Sequence, residues 1–237
     1  MNLRTTLSLV TLSLFVGATA HAGGVITGKV VLEGTPPKPA KIDMSADPNC
    51  VKLNPGGRLD ESVVVGPGGA LANVFVYIKE GLGQRTFTKP SDPVIIDQKG
   101  CMFEPRVLGA MVGQTIEIHN SDGFLHNVHA MPKKSRQFNA AMPMGGMKLK
   151  KRFMAPEVMV PIKCDVHGWM AAYVGVLKHP FFAVTSKDGI FLIRDVPPGT
   201  YTVEAWHEKF GTQTATVEVR EGEKAELEFK FAVAGSS

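Results

Sequence analysis

Short runs in which apolar and polar residues alternate recur along the whole chain, separated by turns rich in glycine and proline. Alternation with a period of two places every second side chain on one face of a strand, and turn residues end such runs. Almost no segment has the spacing of an amphipathic helix. The pattern therefore predicts an all-β fold with strands at 25–32, 72–79, 94–96, 115–119, 158–163, 172–176, 190–192, 201–204, 213–219 and 225–231.

Sequences rich in Gly, Pro, Asn and Asp predict turns between these runs, at 66–69, 120–123, 187–189 and 197–199. The segment 132–153 has no period and is rich in flexible residues from Pro143 to Met147. We expect it to be a loop.

The first residues predict a signal peptide. Arg4 supplies a positive start, an apolar run follows at 7–16, and Ala20-His21-Ala22 offers the small-x-small pattern of a cleavage site. We expect cleavage after Ala22, so that residues 1–22 are removed. No later stretch approaches the roughly 20 apolar residues of a membrane span. The mature chain is therefore expected in the periplasm or outside the cell, with no membrane span.

Charge excludes one class of partner and indicates another. The net charge is +4, and loss of Arg4 with the signal peptide lowers it to +3, far below the excess of a nucleic-acid-binding protein. However, 123–156 contains no acidic residue. Its basic residues are Lys133, Lys134, Arg136, Lys148, Lys150, Lys151 and Arg152. This segment is either a solvated loop or a docking surface for an acidic protein.

Three cysteines in an exported protein leave one without a disulfide partner. Cys50 and Cys101 both stand in turn-like contexts, whereas Cys164 opens the sequence Cys-x-x-His-x-x-Met. The simplest arrangement is a Cys50–Cys101 disulfide with Cys164 held as a thiolate by a metal. The sequence leaves this pairing open.

The two ends of the mature chain resemble a carboxypeptidase-regulatory-like, transthyretin-type β-sandwich. The residues that carry this resemblance lie at 184–191 and 196–203, with opening strands of similar pattern at 28–34 and 70–76. It implies that residues 23–90 and 179–233 form one sandwich, with a second domain at 91–178 inserted between them. A tandem of two domains is the alternative layout.

The intervening region resembles the cupredoxins amicyanin and plastocyanin, which are Greek-key β-sandwiches that carry copper. The matching segments are 103–105, 112–116, 120–129 and 164–176. The resemblance implies a mononuclear blue-copper site with the ligands His126, Cys164, His167 and Met170. It also implies that Asn127 hydrogen-bonds around the site and that His167 reaches solvent through an apolar patch as the electron port. Candidates for that patch are Trp169, Met131, Met142 and Met144.

The chemistry of the four expected ligands also suits copper, independently of the family resemblance. A soft thiolate with two imidazoles and a weak thioether is the ligand set of blue-copper electron-transfer sites. Cys164, His167 and Met170 follow one another at steps of three, so one tight loop can aim all three at a point. Two positions depart from the family pattern: Ile162 stands where an aromatic residue is common, and Gly168 where short-loop relatives often have Pro.

Other metal sites and enzyme classes fit less well. A multicopper oxidase needs several His-x-His pairs, a binuclear copper site needs two cysteines in one loop, and zinc has little use for Met170. No serine stands in a nucleophile-elbow context, and Cys164 with His167 more naturally share a metal than form a protease dyad. We therefore expect a protein that is not an enzyme.

Two functions remain open at this point. The first is one-electron transfer to a redox protein, such as a c-type cytochrome or a copper enzyme. The second is copper capture or delivery, for which a methionine-rich stretch could supply thioethers; packing explains these methionines as well. They are Met131, Met142, Met144, Met147 and Met154. A weaker third possibility is that the outer sandwich binds carbohydrate or another protein.

Overall fold

The computed structural model describes residues 23–233, and the predicted signal peptide at 1–22 lies outside them. Within the described residues the chain forms sixteen strands, one short α-helix and one 3₁₀ turn. The predicted all-β fold class is confirmed. No helix in this part of the chain is long and apolar enough to cross a membrane.

The strands assemble into four sheets. In chain order the elements are β1 (Gly24–Glu33), α1 (Pro48–Leu53), the 3₁₀ turn (Pro67–Gly69), β2 (Phe75–Glu80), β3 (Val94–Lys99), β4 (Met102–Glu104), β5 (Val107–Met111), β6 (Ile116–Asn120), β7 (His126–Ala130), β8 (Phe138–Met142), β9 (Lys148–Lys151), β10 (Glu157–Lys163), β11 (Ala171–Leu177), β12 (Phe182–Val184), β13 (Ile190–Val196), β14 (Gly199–His207), β15 (Gly211–Val219) and β16 (Lys224–Ala232).

The outer sandwich consists of β1, β2 and β12 to β16. Its sheets have the orders β13-β1-β16 and β12-β2-β14-β15, and one apolar cluster fills the space between them. β1 is central, antiparallel to β13 and parallel to β16. The chain leaves this sandwich after β2 and returns to it at β12.

The inner sandwich consists of β3 to β11. Its sheets have the orders β4-β3-β6-β9 and β5-β11-β10-β7-β8, and they enclose a second apolar cluster. β7 and β10 are antiparallel neighbours, with His129 opposite Lys163. The start of β7 and the end of β10 therefore lie at the same end of the sheet.

The prediction of a loop at 132–153 is wrong over two segments. β8 pairs with β7 from His126↔Met142 to Ala130↔Phe138, and β9 pairs with β6. Both are edge strands with exposed and half-buried residues in turn. Their small and charged side chains have low β-propensity, so pairing with a buried neighbour decides the structure and overrides the local pattern.

The two sandwiches contact each other through a flat patch on the inner one. Gly109 and Gly175 are paired across β5 and β11, and the stacked rings of Phe75 and Phe182 lie over them. A Cβ atom at Gly175 would lie 2.3 Å from the Phe75 ring, and one at Gly109 would lie 2.2 Å from the Phe182 ring. Glycine is required at both positions because the rings occupy the space of a side chain.

The segment between β1 and β2 lies against the inner sandwich. We call residues 41–59, whose ends pair at Lys41↔Leu59, the cap segment. The expected disulfide is confirmed: Cys50 in α1 is bonded to Cys101, which lies between β3 and β4. Both sulfurs are buried in a small apolar cluster whose other members are Met44, Met102 and the partly buried Ile42, Phe124 and Trp169.

Candidate metal centre

Two connections at one end of the inner sandwich carry the four expected ligands. His126 is the first residue of β7, and the β10–β11 loop holds Cys164, His167 and Met170. Backbone hydrogen bonds close this loop, because the Cys164 N–H donates to the Met170 carbonyl (3.3 Å) and the Met170 N–H donates to the His167 carbonyl (2.9 Å). The loop is therefore one tight turn with Cys164 and Met170 side by side.

The β6–β7 connection is held as firmly. The side chain of Asn120 donates to the carbonyls of Phe124 (2.9 Å) and Met142 (2.8 Å), and it accepts from the Asp122 N–H (3.0 Å). The entry to β7 is thereby fixed, and with it the position of His126.

Three donor atoms converge between the two connections. Nδ1 of His126 lies 2.9 Å from Nδ1 of His167, and the Cys164 sulfur lies 3.7 Å from the same His167 nitrogen. All three ligand atoms lie within 4.8 Å of one another, and all three residues are buried. One ion could contact all of them.

Each imidazole contacts a carboxylate on its other side. Nε2 of His126 donates to Asp122 (2.9 Å), and Nε2 of His167 donates to Asp47 (2.9 Å). Asp122 also accepts from the backbone N–H groups of Gly100 and Cys101, both at 2.8 Å. A carboxylate on the outer nitrogen selects the tautomer whose inner nitrogen is free to bind metal.

The charges in the centre favour a thiolate. Burial raises the pKa of the Cys164 thiol, but hydrogen bonds from His126 and from the backbone N–H groups of Asn127, His167 and Val166 outweigh it and lower that pKa to about 7. Burial likewise lowers the pKa of His126, but the hydrogen bonds to Asp122 and Cys164 raise it to about 9.

The pKa of both carboxyl groups lies below its ordinary range. For Asp47 the hydrogen bond with His167 is the main cause. For Asp122, burial is outweighed by the hydrogen bonds from His126 and the backbone. Both groups are therefore anions that accept hydrogen bonds.

This arrangement fits a metal ion. Because both Nε2 atoms donate to carboxylates, both Nδ1 atoms present lone pairs to each other at 2.9 Å. Two lone pairs at that distance repel unless a cation, either a proton or a metal, lies between them. With a thiolate beside them, the donors form the nitrogen and sulfur set that suits copper or zinc.

Met170 is fully buried in the same apolar cluster as Cys164. Met170 lies at the end of the loop, immediately before β11, and its backbone is hydrogen-bonded to those of Cys164 and His167. Its role as a weak ligand remains a prediction.

Asn127 ties the two connections together. Its side-chain oxygen accepts from the N–H groups of Asp165 (2.5 Å) and Val166 (3.4 Å), and its amide donates to Asn139 (2.6 Å). The strand that carries His126 is therefore bonded directly to the loop that carries Cys164.

The expectation that His167 reaches solvent is wrong. Only 1% of His167 is exposed, because Asp47 of the cap segment lies on its outer nitrogen and the Trp169 ring packs beside it at 5.2 Å. The proposed patch is divided as well: Met142 is buried, whereas Met144 is exposed. The cap segment occupies the place where an open patch was expected.

Sequence reasoning missed Asp47 and Asp122 as partners of the ligands. Asp122 stands four residues before His126, within a motif that was interpreted as a turn, so the spacing offered a signal. Asp47 offered none, because it lies 120 residues from His167 in sequence and meets it only in the folded structure.

A family model for the carboxypeptidase regulatory-like domain matches part of the chain. The matched residues are 172–232. Most of this range belongs to the outer sandwich, and its first residues lie in β11 of the inner one. No curated protein matches the chain.

Solved structures similar to the chain include copper proteins. A Cu-containing nitrite reductase (NirK) from Thermus scotoductus SA-01 is 22% identical over 41% of this chain, with a TM-score of 0.35, and the match spans 25% of that protein. A purple cupredoxin from Nitrosopumilus maritimus is 20% identical over 35% of this chain and 98% of its own, with a TM-score of 0.30. A Cu(I) amicyanin variant is 20% identical over 43% of this chain and 97% of its own, with a TM-score of 0.32. The evidence for a metal site in this chain is the convergence of the donor atoms of His126, Cys164 and His167.

Proposed function

We propose that this chain is a periplasmic or secreted, non-enzymatic copper protein that transfers one electron at a time. The observation that carries the proposal is the convergence of two imidazole Nδ1 atoms and the Cys164 sulfur within 4.8 Å, with a carboxylate on each outer nitrogen. His126, Cys164 and His167 would hold a single ion, with Met170 as a weak fourth ligand. Bound copper would supply a Cu(I)/Cu(II) couple.

The protein's own part is to keep these donors still. Asn127, Asp122 and Asp47 each restrain one side of the centre through hydrogen bonds. A site whose ligands move little between oxidation states needs little reorganisation, and hydrogen bonding around a metal also tunes its potential. A thiolate with imidazole ligands suits this use.

The proposed partner is an acidic redox protein, such as a c-type cytochrome or a copper enzyme. Residues 123–156, which contain no acidic residue and which we call the basic segment, support this in part. Lys133, Lys134 and Arg136 are exposed, whereas Lys148 and Lys150 both contact Glu117, at 3.5 and 3.3 Å. The first three charges are the better candidates for steering a partner.

Copper capture or delivery is the second candidate, and a specific observation favours it. Met144 and Met154 are 63% and 70% exposed, so their thioethers are open to solvent. Met142, by contrast, is in the core, where its sulfur accepts from the Gln98 amide (3.1 Å). Exposed thioethers could receive Cu(I) at the surface.

The test is titration of the purified mature chain with Cu(II). We expect an intense visible band at one equivalent, reversible bleaching with ascorbate, and loss of the band in Cys164→Ser. His129→Ala is the matched control, because His129 is a partly exposed neighbour outside the donor set. A colourless complex, or colour that survives Cys164→Ser, would refute the proposal.

The two functions then separate by kinetics. Fast electron exchange with a c-type cytochrome supports electron transfer. Copper moving to an acceptor chelator faster from the wild type than from a variant lacking Met144 and Met154 supports delivery.

A further inference from the structure

The cap segment brings a carboxylate onto a ligand of the inner sandwich. One oxygen of Asp47 accepts from Nε2 of His167 (2.9 Å), and the other accepts from the N–H of Asn49 (2.8 Å) as the N-cap of α1. The Asp47 N–H donates to the Met44 carbonyl (3.0 Å). Both carboxylate oxygens and the backbone are thus engaged, and Asp47 has little freedom to turn away.

The cap segment is fixed to the metal centre by residues that follow Asp47. The disulfide joins Cys50, three residues after Asp47, to Cys101. The Asn54 amide donates to the Gly100 carbonyl (3.1 Å), and the Trp169 indole donates to the Cys101 carbonyl (2.9 Å). The disulfide and these two hydrogen bonds therefore hold Asp47 against the β10–β11 loop.

The disulfide also links the two carboxylates that contact the imidazoles. Asp122 accepts from the N–H of Cys101, and Asp47 caps the helix that contains Cys50. A displacement of the disulfide would disturb both outer-nitrogen hydrogen bonds together. The cap segment is thus part of the centre, although it lies outside the inner sandwich in sequence.

We propose that Asp47 is a positioning residue for His167 and that the Cys50–Cys101 disulfide maintains it in place, so that the cap segment determines how tightly the centre holds copper. The inference rests on the copper site proposed above. A carboxylate on the outer nitrogen orients the ring and makes the inner nitrogen a stronger donor, and loss of such a partner typically lowers metal affinity 10- to 100-fold.

Three single variants separate this role from the helix cap. Asp47→Ser keeps an N-cap, since serine caps helices as well as aspartate does, but its side chain is shorter and has no carboxylate for His167. Asp47→Asn keeps an acceptor without the charge. Asp43→Asn is the matched control, because Asp43 lies on the same segment and accepts from Ser45 instead (2.9 Å).

Copper affinity is measured by competition with a chelator, and the Cu(II) visible and EPR spectra are recorded alongside. We expect Asp47→Ser to lose about 10- to 100-fold in affinity with an altered spectrum, Asp47→Asn to lose less, and Asp43→Asn to match the wild type. An Asp47→Ser variant with wild-type affinity and spectrum overturns the positioning role. A wild type that binds no copper overturns the proposed function instead.

The disulfide is tested with Cys50→Ala/Cys101→Ala, alone and combined with Asp47→Ser. Because the disulfide acts partly through Asp47, the loss of affinity in the combined variant should be smaller than the sum of the two separate losses. Additive losses would show that the disulfide does not act through Asp47. If the double cysteine variant fails to fold, as judged by circular dichroism, Asp47→Ser alone decides the proposal.

Discussion

Both sandwiches bury a histidine, but they surround it differently. In the inner sandwich His126 is fully buried with Asp122 on one nitrogen and His167 facing the other. In the outer sandwich His207 is 1% exposed and packs against the rings of Phe210 and Phe231, with centroid distances of 4.8 and 6.3 Å. Its Nε2 has no hydrogen-bond partner among the described residues.

The two environments shift the imidazole pKa in opposite directions. Burial lowers the pKa of His207 to about 4, and the positive charges of Arg106 and Lys209 add to the effect. The carboxylate and the thiol around His126 overcome the same burial and raise its pKa to about 9. Burial alone favours a neutral histidine, whereas burial beside a carboxylate and a thiol favours a positive charge at the imidazole.

Removal of the carboxylate from His126 is expected to have the largest effect. Asp122→Ala takes away an acceptor used by His126 and by two backbone N–H groups. At roughly 1.5 kcal/mol for each of these three hydrogen bonds to a charged group, the free energy of unfolding should fall by about 4.5 kcal/mol. Copper affinity should fall about 10- to 100-fold. Urea unfolding and chelator competition measure the two quantities.

Asp122→Asn is the graded control for this comparison. It keeps one acceptor oxygen without the charge, so its losses should lie between those of Asp122→Ala and the wild type. Equal copper affinity in all three proteins would show that the carboxylate does not position His126.

Acid should destabilise the outer sandwich through His207. Its folded-state pKa of about 4 lies below the ordinary value of 6.5, so the folded state resists protonation. The contribution of His207 to the free energy of unfolding is fully present above pH 6.5. It is lost as the pH falls from 6.5 towards 4, which lowers that free energy by about 3 kcal/mol in all. The pKa of His179 is lowered to about 4 by burial as well, and it acts in the same direction.

His207→Phe isolates this contribution. The substitution fills the space with a ring but removes the hydrogen bond that Nδ1 accepts from the Lys209 N–H (3.2 Å). The free energy of unfolding at pH 7.5 should therefore fall by about 1 kcal/mol, while the decline between pH 6.5 and 4 becomes shallower. Thermal melts across that range measure the slope. An unchanged slope would assign the acid sensitivity to other groups.

Asn127→Ala should have a moderate effect in the inner sandwich. It leaves the N–H groups of Asp165 and Val166 without their acceptor, which should lower the free energy of unfolding by about 1–3 kcal/mol. Asn139→Ala removes a neighbour of Asn127 without touching those N–H groups, so it serves as the control. Equal destabilisation by the two variants would contradict a specific role for Asn127 in holding the ligand loop.

The sequence predicted the fold class and the disulfide because alternation, turns and cysteine contexts are local signals. It also predicted that Cys164, His167 and Met170 share one loop, because they stand within seven consecutive residues. That these residues bind a metal stays a prediction. The burial of His167 could not be predicted in this way. It depends on a cap segment 120 residues away, held by a disulfide and by packing that no local pattern encodes.

The edge strands β8 and β9 were not predicted from the sequence, for a related reason. Their residues have weak preferences for strand structure, and pairing with the mostly buried strands β7 and β6 decides their conformation. The edge strands β13, β15 and β16 were predicted, whereas the interior strand β7 was not. Local alternation therefore did not reveal every pairing within the sheets. The same limit applied to Asp122, whose turn was recognised while its contact with His126 was not.

The smallest effect on stability is expected from the surface lysines of the two sandwiches. Lys150 is 70% exposed beside Glu117, and Lys230 is 52% exposed beside Glu33. Exposed pairs contribute little, so Lys150→Ala and Lys230→Ala should each change the free energy of unfolding by less than about 1 kcal/mol. If the basic segment steers an acidic partner, Lys134→Ala, which removes one of its exposed charges, should slow electron exchange with an acidic c-type cytochrome while Lys230→Ala should not, and added salt should abolish the difference because screening removes steering. Stopped-flow rates at low and high ionic strength measure this, and equal slowing by both variants would mean that net charge, rather than the basic segment of the inner sandwich, guides the encounter.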